Sequence, residues 1–179
     1  NPNQNKLTPL MISSSKGNFK LTDMLIEKGA KVNEMDKNGK TALMYAAAEG
    51  NTNIVKLLLR EKSRLDFRDR FGMTAWMHAV ENKNIPVVEF LSKKEIDNNE
   101  NLFYAVSNGQ YEAVKILLEL QANPEARDEQ GWTLLMLAAN NGHKKIVEHL
   151  IKSGAKIDHI NELNKNGPGW TPLMLAAGG

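Results

Sequence analysis

One short phrase recurs in register along this chain and narrows what it can fold into. It reads Thr8-Pro9-Leu10-Met11, then Thr41-Ala42-Leu43-Met44, then Thr74-Ala75-Trp76-Met77, at intervals of 33 residues. It returns as Thr133-Leu134-Leu135-Met136 and Thr171-Pro172-Leu173-Met174. Self-similarity at such a period means stacked copies of one small unit, each too small to bury its own apolar face. A stack of such units presents an extended surface, and extended surfaces bind other molecules.

Each copy has the same parts. The threonine supplies a helix N-cap, and where proline follows it sits in the first helical turn. Small pairs such as Ala46-Ala47 and Ala138-Ala139 let neighbouring helices approach closely. Gly17, Gly50, Gly109 and Gly142 then turn the chain with positive φ. A second helix carries a 3.6-period apolar stripe, as in Ile54, Val55, Leu57 and Leu58. The copy closes on Gly-Ala-x-Val/Ile-Asn/Asp, as in Gly29-Ala30-Lys31-Val32-Asn33. It then runs into Asp-x-x-Gly, as in Asp36-Lys37-Asn38-Gly39 and Asp69-Arg70-Phe71-Gly72, which is β-turn chemistry. The unit is helix, turn, helix, hairpin finger.

With these motifs in order over nearly all of residues 3–179, the chain resembles the ankyrin repeat family. The resemblance implies an all-α repeat solenoid of about five full repeats plus a partial sixth, with a hairpin or loop finger in each. It also implies a concave side of first helices and fingers, and a convex side of second helices. The repeats fall at about 3–35, 36–68, 69–97, 98–127, 128–165 and 166–179, within one ankyrin-repeat domain. The family's histidine after Thr-Pro-Leu is methionine in five of the six copies and Phe103 in the fourth, which reads as a packing variant.

Some copies depart from the pattern. Ser13-Ser14 replaces the small apolar pair of the first copy, as expected of an N-terminal cap whose polar side faces water. The last copy stops at Leu175-Ala176-Ala177-Gly178-Gly179 without such a cap, so either the native protein continues or this stub is the end of a larger array. From Thr74 to its equivalent Glu100 is seven residues short of the period, cutting the third finger to about Glu95–Asn99, and Lys83 stands where glycine is expected. From Thr133 to Thr171 is five residues too long, which places a longer finger at His159–Gly169. Drift in loop length accounts for both, and a notched groove with a projecting arm is the functional alternative.

Composition removes several function classes. The chain has no cysteine, so thiolate catalysis and cysteine-bound zinc are out, and a net charge of +2 is too small for general nucleic-acid binding. His78, His143, His149 and His159 have no metal-ligand spacing. No phosphate-binding glycine loop or nucleophile motif occurs. Asp36, Asp69 and Asp128 recur at one repeat position and read as turn formers. The expectation is a non-catalytic module that uses neither cofactor nor metal. No apolar run is long enough to span a membrane, and the opening residues Asn1–Asn5 lack signal-peptide features. A cytoplasmic monomer is favoured, and export of a processed chain stays compatible.

Recurring positions serve stacking; varying positions on fingers and first helices are available for recognition. The varying finger positions are Met35, Lys37, Asn38 and Lys40, then Arg68, Arg70, Phe71 and Met73, then Arg127, Glu129, Gln130 and Trp132. Ile160 and Trp170 follow. Trp132 and Trp170 share one repeat position, whereas Trp76 replaces the leucine of Thr-x-Leu and belongs to the core. Tryptophan and arginine dominate binding hot spots. The expected site is Trp132, Trp170, Arg68, Arg70, Phe71, Met73, Arg127, Gln130, Lys37 and Lys40, facing a protein or peptide with acidic groups that lies in the concave groove of finger tips and first helices. A structural spacer or regulatory ankyrin domain of a larger protein, and a small-molecule sensor whose tryptophans stack on a nucleotide base, are the alternatives.

Overall fold

The computed structural model describes residues 4–94 and 98–157. Its helices, in chain order, are α1 (Pro9–Ser15), α2 (Phe19–Glu27), α3 (Ala42–Ala48), α4 (Thr52–Arg60), α5 (Ala75–Glu81), α6 (Ile85–Ser92), α7 (Asn98–Ser107), α8 (Tyr111–Glu119), α9 (Leu134–Asn140) and α10 (Lys144–Lys152). The chain divides into two compact units, Asn1–Ile96 and Asp97–Gly179. The first holds α1–α6 and the second α7–α10. Within the first unit the first helices α1, α3 and α5 pack in series, and the second helices α2, α4 and α6 pack beside them. In the second unit α7 packs on α9 and α8 on α10.

The threonines begin the first helices as expected. Thr8, Thr41, Thr74 and Thr133 accept hydrogen bonds from the amides of Met11, Met44, Met77 and Met136 at 3.2–3.3 Å. Each satisfies one amide that the first helical turn leaves without a partner. The four methionines are buried, which makes them core residues. So is Trp76, whose Nε1 donates to Ser92 Oγ at 2.7 Å. On α4, Ile54, Val55, Leu57 and Leu58 are all buried. Burial of each such side chain is worth about 1.5–3 kcal/mol.

The backbone repeats more strictly than the sequence. Gly29 and Gly154 end second helices in the left-handed region, and Lys62 and Gln121 take the same conformation at the same repeat position. Lys83 does likewise at the position of Gly17, Gly50, Gly109 and Gly142, so the missing glycine leaves the turn unchanged. A side chain in this region is strained by about 1–2 kcal/mol. Helix packing on both sides holds these residues there.

At Gly17 and Gly50, among other glycines, a neighbour as well as φ excludes a side chain. A Cβ on Gly17 would lie 2.9 Å from Asn51 Oδ1, and one on Gly50 would lie 2.7 Å from Asn84 Oδ1. Those asparagines reach back to the preceding repeat. Asn51 Nδ2 donates to the carbonyls of Ser14 and Ser15, and Asn84 Nδ2 to those of Ala47 and Ala48. They add side-chain donors to carbonyls at the end of the preceding first helix, where intrahelical bonding runs out. In the second unit His143 Nε2 approaches Ser107 O at 3.3 Å, the same tie made by a ring.

The serine pair of the first copy corrects an expectation. Ser13 and Ser14 are fully buried and do not face solvent. They occupy the places of Ala46 and Ala47, where only a small residue lets α1 approach α3. Ser13 Oγ donates to Leu10 O at 3.0 Å and accepts from Thr22 Oγ1 at 3.0 Å. Being small mattered more than being polar.

Candidate functional site: the finger edge

The fingers are tight turns closed by two backbone bonds each: Asp36 N to Lys40 O and Gly39 N to Asp36 O, Asp69 N to Met73 O and Gly72 N to Asp69 O, and Asp128 N to Trp132 O and Gly131 N to Asp128 O. Among the described residues no strand forms; the finger of the second unit has an isolated antiparallel bridge between Arg127 and Thr133. What sets the shape is the recurring aspartate. Asp36 Oδ1 accepts from the amides of Asn38 and Lys40, both at 2.8 Å. Asp69 Oδ1 accepts from Phe71 and Met73, and Asp128 Oδ1 from Gln130 and Trp132. The reading of these carboxylates as turn formers holds.

The second carboxylate oxygen does a job that the sequence reading missed. Asp36 Oδ2 accepts from Tyr45 Oη at 2.8 Å, and Asp69 Oδ2 from His78 Nε2 at 2.8 Å. Tyr45 and His78 share one position on the first helix, so each ties its finger to the helix that follows. Burial, aided by the Asp36 carboxylate, pushes the Tyr45 hydroxyl up to about 12. Burial likewise pushes His78 below its ordinary value, against the pull of Asp69 and with the help of Lys40. For Asp69 burial acts upward, but the amides of Met73 and Phe71 and the His78 ring outweigh it and hold the carboxyl low. A neutral imidazole thus donates to an ionised carboxylate. The one available signal was that a polar residue stands nine positions after the aspartate in both copies.

On this frame the first unit brings together six of the expected site residues. Lys37 and Lys40 sit on one finger, and Arg68, Arg70, Phe71 and Met73 on the next. The fingers stack: Arg70 N donates to Asn38 O at 2.8 Å, and Lys37 N to Asn5 O at 3.0 Å. Gly39 permits this, since a Cβ there would lie 3.2 Å from the Asp69 backbone. Arg70 donates from Nη1 to Asn38 Oδ1 and lies over the Phe71 ring, 4.6 Å from its centroid. Phe71 is 67% exposed, the most exposed of the large apolar residues described. Arg68 Nη1 donates to Gly72 O. Lys37, Arg68 and Arg70 are exposed; Lys40 and Met73 are half-buried.

The second unit brings together three more on its own finger. Arg127 and Gln130 are exposed, and Trp132 is half-buried beside the Asp128 turn. Trp170 and the long finger at 159–169 lie outside the described residues, as does most of the shortened third finger. Among the described residues no histidine–carboxylate cluster could hold a metal ion, and no helix is long and apolar enough to cross a membrane.

The family model described as "Ankyrin repeats (3 copies)" matches residues 1–69, 61–128 and 102–179. The chain belongs to the ankyrin repeat family. Two solved structures share the fold over 96% of this chain. One is the human ASB11 ankyrin repeat domain, at 25% identity and a TM-score of 0.73 over 77% of that chain. The other is a chain in the complex of the Bd0816 predatory endopeptidase from Bdellovibrio bacteriovorus with immunity protein Bd3460, at 28% identity and a TM-score of 0.74 over 92% of that chain. Among curated relatives, glycerophosphocholine phosphodiesterase gde1 of Schizosaccharomyces pombe is 43% identical over 85 residues, 46% of this chain and 7% of that protein. The match therefore lies in a small part of that relative. Ankyrin repeats are in general protein–protein interaction modules, and the fold is typically non-catalytic.

Proposed function

We propose that this chain is a binding module that recognises an acidic protein or peptide segment along its finger edge. The observation that carries this reading is the split between recurring and varying residues. Threonine caps, aspartate turns and reaching asparagines are consumed by stacking, whereas the varying Lys37, Arg70 and Phe71 stand exposed on the rigid finger turns. Arg70 lying over the Phe71 ring offers a guanidinium and a ring together, a combination suited to a carboxylate beside an apolar side chain. On its own finger the second unit offers Arg127, Gln130 and Trp132, residues of the same chemistry, and Trp170 is the matching sequence position in the last copy.

Panning a random peptide display library against the chain tests this. Enrichment of Asp- and Glu-rich peptides, lost in an Arg68→Ala/Arg70→Ala variant of unchanged melting temperature, is the expected result. Equal enrichment by the variant, or none by either protein, counts against it.

A further inference from the structure

At four repeat positions the first repeat of the chain is more open than its described counterparts in the second, third and fifth repeats. At one of them Ile54, Val87 and Ile146 are 2%, 0% and 2% exposed, and Leu21 is 38% exposed. At the next, Leu58, Leu91 and Leu150 are fully buried and Leu25 is half-buried. Ala42, Ala75 and Leu134 are buried, and Pro9 is exposed. Ser63 and Ala155 are buried, and Ala30 is half-buried. In the later repeats the preceding helix pair packs against these positions: α1 and α2 against α3 and α4, and α3 and α4 against α5 and α6. In the first repeat Pro9, Leu10, Leu25, Ala30 and Met35 line an open groove of about 580 Å³.

An independent feature concerns Asn18, the counterpart of Asn51 and Asn84. Those two reach back to helix-end carbonyls and make no bond to their own helix ends. Asn18 instead accepts from Leu21 N at 3.1 Å, capping its own helix. The first repeat thus carries the aliphatic stripe, the small residue at 30 and, at 18, the asparagine that in the next two repeats reaches back. A terminal cap would be polar at these places.

We propose that this open end docks one more helix pair of the same repeat type, joined in cis ahead of the first repeat. That pair stacks as α1 and α2 stack on α3 and α4, with the end of its first helix offering carbonyls to Asn18. The interface is continuous with those already present, all of which are made in cis at a 33-residue spacing in the first unit. Lys6, Lys31 and Glu34 line the same groove beside its apolar residues.

The test is to fuse a second copy of residues 36–68 directly ahead of Asn3, which preserves the spacing, and to compare it with the unextended chain. The expected result is a higher melting temperature, a helical signal raised in proportion to the added repeat, and resistance of that repeat to limited proteolysis. Leu25→Asp should abolish the gain in the extended chain and shift the unextended chain little. An added repeat that stays protease-sensitive, with no shift in melting temperature, overturns the proposal. So does concentration-dependent dimerisation of the unextended chain that Leu25→Asp abolishes, because a second copy would then own the surface.

Discussion

Asp69 shows how much one side chain can carry in a repeat. One oxygen shapes the finger through two amides, and the other fixes the finger to α5 through His78. The pH consequences follow in sign. His78 is harder to protonate folded than unfolded, so its contribution is present above its ordinary value of 6.5 and is lost as pH falls below it. Asp69, held below its ordinary 3.8, adds a further loss as pH falls through its folded value. Chemical denaturation at stepped pH should show stability declining from pH 6.5 downward, and His78→Gln should flatten that first decline. At the equivalent site Tyr45→Phe leaves Asp36 Oδ2 without its donor, and urea unfolding should register a loss of about 1 kcal/mol. Neither support was legible beforehand, because Tyr45 and His78 share only polarity and a spacing. The aspartates themselves were legible, since Asp-x-x-Gly has few other uses.

Between elements, the junctions depend on small residues meeting long reach. Gly29→Ala and Gly50→Ala place a Cβ in the same left-handed region, each costing about 1–2 kcal/mol. Gly29 has open space around it, whereas a Cβ on Gly50 meets Asn84 Oδ1 and displaces its bonds to Ala47 and Ala48. Gly50→Ala should therefore cost about 1–3 kcal/mol more. In an Asn84→Ala background that excess should vanish, as a double-mutant cycle by denaturant titration would show. The helices and their order were readable from the phrase Thr-x-Leu-Met and the stripe behind it. The left-handed turns at Lys62, Lys83 and Gln121 were not, because packing and not residue type imposes them. Ser13-Ser14 misled because residue polarity was weighed above residue volume, and volume decides where two helices touch.

Over the whole molecule, the break in period between Thr74 and Glu100 coincides with the division between the two compact units. Amide exchange across residues 95–100 is expected to be faster than at Ala46 or Ala138, which sit inside regular stacks. Uniform protection along the chain would contradict that. The candidate site was legible as a set of varying positions, because recurrence marks the scaffold and leaves the remainder. The stacking of Arg70 on Phe71 needed coordinates, since no pattern encodes a ring-to-guanidinium contact. The central claim is that scaffold and recognition are carried by different residues. Its most direct test is to titrate the chain and an Arg70→Ala/Phe71→Ala variant with a peptide selected from the display library, alongside thermal melts of both. The account predicts binding weakened about tenfold or more with the melting temperature nearly unchanged, as expected for truncation of hot-spot residues outside the core. Unaltered affinity, or a collapse of the fold, would contradict it.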